Sequence, residues 1–312
     1  MNRSCWFVGV RISRECLYYE TRATVAVTHW LAIDIHVHAV LVKELTDNRA
    51  ELLRDARELF DLRTSPQPLS TLLGEMDDCN IEKSVLLPIN CETSLGSKMP
   101  SNDEIADLVR RDGKRLIGFS SVDPNSGEKA LSDLRESHET LGLKGLKLNP
   151  AMQAFDPSGS EALEIYNMAE RLEMPILIHT GLTFSNRFSI RYNPPSIYDD
   201  IARKYAKLKI CLAHMGWPWI WDAVAVTIRN PNVYLDTAGT YAGTPTETMR
   251  QIISLVSTRV IENTLGDRLI FGSDYPRIEM NKMFNAVSSL PLRKEALNAI
   301  LNDNALAFLG EC

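Results

Sequence analysis

The sequence predicts an α/β fold, a (β/α)8 or TIM barrel, because strand-like and helix-like segments alternate along it. Short runs rich in leucine or β-branched residues recur from residue 31 onward, which is the pattern of a parallel sheet. Eight strands close such a barrel, and a barrel of about 250 residues fits within this chain. The predicted strands are Leu31–His38, Lys83–Ile89, Leu116–Val122, Gly142–Leu148, Pro175–His179, Lys209–His214, Asn232–Asp236 and Arg268–Ser273.

The segments between the strands are predicted to be helical. In Ser158–Leu172 the apolar residues Ile165, Tyr166 and Ala169 recur at helical spacing. The segment Lys43–Pro68, which follows the first strand, is long and charged. We therefore expect it to form a helical excursion or lid over the mouth of the barrel.

A doubly wound open sheet is the alternative α/β arrangement. Such sheets usually carry a glycine-rich turn after the first strand, whereas the first strand here ends in His38-Ala39-Val40. Neither G-x-G-x-x-G nor G-x-x-x-x-G-K-[ST] follows any of the predicted strands. The sequence therefore favours the barrel and gives no support to nucleotide binding.

The first thirty residues differ in character from the remainder. Cys5–Val10 is apolar, but Arg11 and Arg14 follow it closely, so the segment does not have the form of a secretory signal peptide. We interpret residues 1–30 as an N-terminal extension of unknown structure, with disorder as one alternative. Residues 31–312 are predicted to form the barrel domain.

Charge and composition exclude several classes of protein. The formal net charge of −6 and the lack of a basic run argue against nucleic-acid binding. No apolar run approaches the roughly 20 residues that span a membrane. The 6 cysteines form no CxxC pair, which suits a reduced, cytoplasmic environment. The expected partner is a small-molecule substrate, and homo-oligomerisation stays open.

Histidines concentrate at the predicted ends of strands, where barrel enzymes carry their active sites. Of the 6 histidines, His36 and His38 end the first strand, His179 ends the fifth and His214 ends the sixth. Asp274 directly follows the eighth strand. Imidazole and carboxylate groups are common ligands of zinc and neighbouring metals. A shared metal site explains this coincidence better than separate structural roles do.

Other residues near these ends are candidates for weaker roles. Arg187 and Arg191, in the long loop after the fifth strand, could clamp a substrate carboxylate, with solvent exposure as the alternative. Trp217 could wall an apolar substrate pocket, with helix packing as the alternative. Asp123 and Asp236, at the ends of the third and seventh strands, are candidates to orient a ligand histidine.

These residues resemble the amidohydrolase superfamily, and within it the amidohydrolase-related (amidohydrolase 2) branch of metal-dependent hydrolases and decarboxylases. The resemblance covers roughly residues 31–309, and the order of its motifs is specific for the superfamily but says little about the substrate. The motifs are Asp34-x-His36-x-His38, Lys144-Gly145-Leu146-Lys147-Leu148-Asn149-Pro150, Ile178-His179-Thr180-Gly181, Leu212-Ala213-His214-Met215-Gly216 and Gly272-Ser273-Asp274-Tyr275-Pro276.

The resemblance implies a ligand set and two catalytic residues. His36, His38, His179 and Asp274 would bind one divalent metal, with zinc expected before manganese. Asp274 would also take a proton from metal-bound water, and His214 would orient or polarise the substrate or act as an acid. These roles are chemically coherent, because a metal lowers the pKa of its water and a nearby carboxylate can accept the released proton.

The fourth strand bears on the number of metals. Binuclear relatives bridge two metals with a carboxylated lysine or a glutamate there. Lys144 and Lys147 fall on opposite faces of the strand, so at most one points into the barrel. Asn149 stands where relatives often carry a histidine, so we expect one metal. Lys147 and Asn149 are then candidates to contact substrate or to support the metal ligands.

Hydrolysis is the leading expectation for the activity. Metal-activated water would attack an amide, lactone or ester carbonyl of a small anionic substrate. The alternative is metal-dependent non-oxidative decarboxylation of a small aromatic or unsaturated carboxylic acid on the same fold. A non-catalytic binding barrel and a metal-free lactonase fit the intact ligand set less well. The substrate itself is not predicted, because barrel specificity lies in loops.

Overall fold

The structure is a computed structural model that describes residues 30–183, 185–239, 241 and 243–311. The predicted N-terminal extension, residues 1–30, lies outside the described residues except for Trp30. The division of the chain at about residue 30 therefore stays a prediction. Within the described part, one or more helices separate successive strands of the eight-stranded sheet.

Eight parallel strands confirm the predicted (β/α)8 barrel. Together with the two strands of a separate small sheet, the strands are β1 (Ala32–Val37), β2 (Ile81–Leu86), β3 (Ile89–Cys91), β4 (Ser97–Met99), β5 (Leu116–Ser120), β6 (Gly145–Leu148), β7 (Ile176–Ile178), β8 (Ile210–Leu212), β9 (Val233–Asp236) and β10 (Leu269–Ile270). The large sheet has the order β1-β2-β5-β6-β7-β8-β9-β10. Each of its strands overlaps one predicted strand. β3 and β4 were not predicted, and they pair as a small antiparallel hairpin after β2.

The barrel closes between β1 and the segment that follows β10. The Ile35 N–H donates to the carbonyl of Phe271 at 3.1 Å, the Asp274 N–H to the carbonyl of His36 at 3.0 Å, and the His38 N–H to the carbonyl of Tyr275 at 2.7 Å. These bonds bring the first and last predicted motifs side by side. The two ends of the chain's barrel region therefore meet at the site that carries His36, His38 and Asp274.

Helices cover the outside of the sheet. They are α1 (Lys43–Thr46), α2 (Ala50–Phe60), α3 (Leu69–Asp78), α4 (Glu92–Leu95), α5 (Asn102–Arg111), α6 (Glu128–Glu139), α7 (Pro150–Gln153), α8 (Ser160–Arg171), α9 (Tyr198–Lys204), α10 (Ile220–Arg229), α11 (Pro245–Val256), α12 (Thr258–Asn263), α13 (Met280–Ser288), α14 (Lys294–Asn298) and α15 (Asn304–Leu309). α8 matches the helix predicted over residues 158–172. Residues 43–68, hereafter the excursion, contain α1 and α2 as expected.

Two apolar clusters form the core. The larger one lies between the sheet and the helices. The smaller one takes residues from seven of the barrel strands, including Ile33, Phe119 and Leu177, and therefore fills the inside of the barrel. Ile35 belongs to the inner cluster and Val37 to the outer one, although strict alternation predicts one face for both. The reason is that the pairing of β1 with β2 is irregular between Asp34 and Val37.

Candidate metal centre

The predicted ligand residues lie where strands end, at the same end of the barrel. His36 is within β1, and His38 follows that strand directly. Three of the side chains bring ligand atoms within 4.8 Å of one another, namely His36, His38 and Asp274, and all three are buried. His36 Nε2 and Asp274 Oδ1 are 3.8 Å apart. Two imidazoles and a carboxylate at this spacing form a donor set that suits a divalent transition metal.

Hydrogen bonds fix the orientation of the first two histidines. The carboxylate of Asp236 accepts from His36 Nδ1 at 2.8 Å. The carbonyl of Leu87 lies 3.0 Å from His38 Nδ1, and a carbonyl oxygen accepts but cannot donate, so that nitrogen carries the proton. In both neutral rings Nε2 is left with its lone pair. This is the arrangement that a metal-binding histidine commonly has.

His214 and His179 form a second hydrogen-bonded unit. His214 Nδ1 lies 3.0 Å from the carbonyl of Ala238 and so carries the proton. His214 Nε2 then accepts from His179 Nδ1 at 3.0 Å. His179 Nε2 accepts in turn from the hydroxyl of Thr183 at 3.1 Å. The structure therefore places His179 beside the cluster of His36, His38 and Asp274 but not within it.

Burial keeps the histidines of the site in their neutral forms. Desolvation holds the pKa of His36, His38 and His179 well below the ordinary value for histidine, and the positive charge of Lys147 lowers it further. Burial also raises the pKa of Asp274 to about 6 and lowers that of Lys147 to about 8. Neutral imidazoles are the form that ligates metals, and a cation would offset the cost of burying the carboxylates.

Asp236 supports the site from below. One carboxylate oxygen holds His36, and the other accepts from the backbone N–H of His214 at 2.6 Å and of Ala238 at 3.1 Å. His214 adopts a left-handed φ of 62°, which costs energy in a non-glycine residue and is maintained here by these bonds. Asp236 thus has the orienting position predicted for it. Asp123 contacts Thr93 and Asn125 instead and meets none of these histidines.

The fourth predicted strand, now β6, directs one lysine inward as expected. Lys147 is buried, and its Nζ lies 3.2 Å from His36 Nε2. Lys144 is exposed at the other end of β6. Asn149 lines the cavity above the site, but its side-chain oxygen accepts from the backbone N–H of Met152 at 3.1 Å. Asn149 therefore caps the short helix α7, a role that the sequence reasoning did not assign to it.

A cavity of about 510 Å³ opens above these residues. Its floor consists of His38, Lys147, His179, His214 and Asp274. Its rim consists of Arg57, Glu58, Leu59, Phe60, Asp61, Thr183, Ser185, Tyr241 and Arg277. The excursion thus covers one side of the barrel mouth, as the sequence predicts. The volume is that of a small-molecule pocket.

Three predicted substrate contacts lie outside the lining of this cavity. Arg187 is exposed, with its Nη1 3.8 Å from Glu58 Oε2. Arg191 hydrogen-bonds Tyr192 and lies over its ring at 4.4 Å. Trp217 stacks on Tyr241 with ring centroids 4.6 Å apart, so it packs against a rim residue without lining the cavity itself. The structure therefore does not bring the two arginines to the site, because their guanidinium groups face partners on the loop surface and the excursion.

None of the nine rim residues was predicted individually, and four of them are aromatic or basic. They are Arg57 and Phe60 from α2, Tyr241 from the loop after β9, and Arg277 three residues after Asp274. Arg277 could have been noticed, because it follows the predicted ligand closely in sequence. Arg57 and Phe60 belong to a charged helix in which no pattern distinguishes them. Tyr241 lies in a loop whose path the sequence does not reveal.

Comparison with known proteins identifies related chains. A family description named amidohydrolase matches residues 33–310. The 2-amino-3-carboxymuconate-6-semialdehyde decarboxylase of Dictyostelium discoideum is 20% identical over 210 residues, which are 60% of this chain and 56% of that protein. The chain therefore spans little more than half the length of this curated relative.

Solved structures share the fold. An uncharacterised TIM-barrel protein from Bordetella bronchiseptica superposes with a TM-score of 0.69 at 20% identity, covering 89% of this chain and 99% of that one. A dihydroxybenzoic acid decarboxylase from Polaromonas sp. has a TM-score of 0.59 at 19% identity and covers 90% of this chain and 96% of its own. That structure contains manganese and the inhibitor 2-nitroresorcinol.

The expectation that the chain is foremost a hydrolase is wrong. The curated relative and the Polaromonas neighbour are both decarboxylases, which favours the alternative activity. Sequence motifs could not make this distinction, because both reactions use the same barrel and the same kind of metal site. The metal of that neighbour is manganese, so zinc has no specific support.

Among the described residues, the structure contains no helix with the length and apolar character that a membrane span requires.

Proposed function

We propose that this chain, which belongs to the amidohydrolase family, is a metal-dependent non-oxidative decarboxylase of a small aromatic or unsaturated carboxylic acid. The observation that carries the proposal is the cluster of His36, His38 and Asp274, of which His38 and Asp274 line the floor of a 510 Å³ cavity and His36 lies buried against them. The decarboxylases among its relatives support the choice of reaction.

The residues of the floor fit one divalent cation, zinc or manganese. His36, His38 and Asp274 would hold it, and His179 would join them if its contact with Thr183 were exchanged for the metal. When bound, such a cation would supply a positive charge that anchors substrate oxygens and draws electron density away from the carbon that loses carbon dioxide. Lys147, 3.2 Å from His36 Nε2, would add a second positive charge beside that position.

The aromatic side chains of the rim fit a planar substrate. Tyr241 is held by its parallel stack on Trp217, and Phe60 also lines the cavity, with its ring 5.7 Å from that of His38. Planar rings gain from such contacts beyond the area they bury. A flat, unsaturated acid would therefore gain from contact with these rings while its carboxylate end lies near the floor.

Decarboxylation breaks the bond between the carboxylate and the neighbouring carbon, releases carbon dioxide and leaves an electron pair that must receive a proton. We assign the movement of this proton to Asp274 and His214, which both line the floor. The bond from His214 Nδ1 to Ala238 leaves a lone pair on Nε2, which accepts from His179 Nδ1 at 3.0 Å, so His214 would take a proton and return it only after that bond is broken.

The proposal is tested by offering the purified, metal-loaded chain two panels of compounds. One panel contains hydroxybenzoates, carboxylated hydroxybenzoates and unsaturated dicarboxylic acids, and release of carbon dioxide is measured. The other contains lactones, esters and amides, and hydrolysis is measured. We expect carbon dioxide from at least one acid, absent in a variant with both His36→Ala and His38→Ala. Hydrolysis with no carbon dioxide from any acid would refute the proposal.

A further inference from the structure

Arg277 contacts both a metal-ligand candidate and the excursion. Its Nε lies 3.7 Å from Asp274 Oδ2. Its Nη2 donates to the backbone carbonyl of Phe60 at 2.9 Å. Phe60 is the last residue of α2, and the last carbonyls of a helix have no partner within the helix. A guanidinium group can face the Asp274 carboxylate and the Phe60 carbonyl at once, because its N–H donors point in different directions within a rigid plane.

Phe60 makes a second contact with the site. Its ring centroid lies 5.7 Å from that of His38, at an interplanar angle of 42°. One residue at the end of α2 is thus linked to two of the clustered ligand candidates, to His38 through its ring and to Asp274 through Arg277. This end of the helix is therefore positioned by the groups that would hold the metal.

Other contacts of the excursion are made at its base and its outer side. The base is closed by backbone bonds from Lys43 N–H to the carbonyl of Gln67 at 2.8 Å and from Gln67 N–H to that of Leu41 at 3.0 Å. On the outer side, Asp55 accepts from the hydroxyl of Ser97 near the β3–β4 hairpin. Arg49 donates to Glu104 at 2.5 Å. These contacts hold the excursion without involving the floor.

We propose that Arg277 is a positioning residue that couples the excursion to Asp274, so that metal binding and docking of α2 against the barrel favour each other. The inference rests on the metal site of the proposed function. A cation that fixes the carboxylate of Asp274 also fixes its partner Arg277, which then holds the carbonyl of Phe60. Such coupling is reciprocal, because each event stabilises the arrangement that the other requires.

The coupling predicts that metal protects α2 from hydrogen exchange. Exchange of the backbone amides of residues 50–60 is measured by mass spectrometry on the full chain, with and without Mn²⁺. We expect metal to slow exchange there by about fivefold or more in the unmodified chain. Arg277→Met should abolish this slowing and raise the apparent Kd for Mn²⁺ by about five- to tenfold. Neither readout depends on which reaction is catalysed.

Three further variants separate coupling from general stability. Phe60→Ala keeps the backbone carbonyl that Arg277 contacts but removes the ring beside His38, so part of the slowing should remain. Arg277→Lys keeps a positive charge near Asp274 but lacks the planar guanidinium group. The apparent Kd for Mn²⁺ should therefore change less than the metal-dependent slowing of exchange in residues 50–60. Arg63→Met, at an exposed residue paired with Asp61, should leave both readouts unchanged.

Three results would overturn the inference. If Arg277→Met binds Mn²⁺ as tightly as the unmodified chain and shows the same metal-dependent protection, Arg277 does not couple metal binding to the docking of α2. If Arg63→Met reduces metal affinity as much as Arg277→Met does, the effect comes from general loosening of the excursion. Decarboxylation with normal metal affinity but without metal-dependent protection would reject the coupling and leave the proposed function intact.

Discussion

The floor and the rim of the cavity differ in what holds their side chains. His38 of the floor directly follows β1 and Asp274 lies in the segment after β10, and backbone bonds between β1 and that segment fix their separation. Phe60 and Tyr241 of the rim lie at the end of a surface helix and in a loop. The floor is thus determined by the barrel itself, whereas the rim depends on side-chain contacts. Chemistry is expected to depend on the floor and substrate choice on the rim.

Removing the two strand-borne histidines should have the largest effect. A variant with His36→Ala and His38→Ala should lose its bound metal and at least about 10³-fold in turnover, because the charge stabilisation that a metal supplies is worth several kcal/mol. Metal is measured by elemental analysis of the purified protein. His138→Ala, on the distant helix α6, is the matched control. Retention of metal by the double variant would show that the floor was assigned to the wrong residues.

Asp274→Asn tests the acidic side of the floor. The amide keeps the shape of the side chain but cannot carry the negative charge or move a proton, so kcat should fall by about 10²- to 10⁴-fold. Steady-state kinetics on the metal-loaded protein measures this. Asp267→Asn, at an exposed aspartate paired with Arg268, should leave kcat unchanged. Near-normal turnover of Asp274→Asn would assign the proton transfer elsewhere.

Asp236→Asn tests the layer beneath the floor. Loss of the carboxylate that orients His36 should weaken metal affinity by about 10- to 100-fold while leaving some activity at saturating metal. Competition with a chelator measures the affinity. Asp123→Asn removes the other strand-end aspartate, which meets none of the site histidines, and should leave affinity unchanged. Equal effects of the two substitutions would mean that Asp236 acts only through stability.

The exposed arginines should give the smallest effect. Because Arg187 and Arg191 are exposed and lie outside the cavity lining, replacing both with alanine should change KM by less than about twofold and stability by about 0.5 kcal/mol or less. Kinetics and thermal unfolding of the double variant check this. A large rise in KM would mean that the loop after β7 moves over the substrate, and that the rim extends further than the structure shows.

The difference between floor and rim also explains which parts of the molecule the sequence could predict. The eight strands follow from period and composition, and the positions of His36, His38, His214 and Asp274 follow from the rule that barrel sites form where strands end. The role of Asp236 could also be anticipated, because it ends a neighbouring strand. The alternation within β1 holds from Ile33 to Ile35 and breaks between Ile35 and Val37, because of an irregular register that no sequence pattern marks.

The rim residues could not be predicted from the sequence, for a physical reason. Phe60 reaches the site only because α2 is folded back over the barrel mouth, and that path depends on tertiary contacts such as Asp55 with Ser97. Arg187 has the side chain that a carboxylate clamp needs, but in the structure it faces Glu58 and does not line the cavity, which the sequence does not reveal. The choice between hydrolysis and decarboxylation was equally hidden, because the same donor set serves both.

The most direct test of the proposed activity is to run the reaction in D₂O with the metal-loaded chain and an acid that it consumes. Decarboxylation predicts a product that has lost carbon dioxide and carries one deuterium on the carbon that held the carboxylate, as seen by NMR and mass spectrometry. A product that retains its carboxylate and has gained the elements of water would contradict decarboxylation and restore hydrolysis.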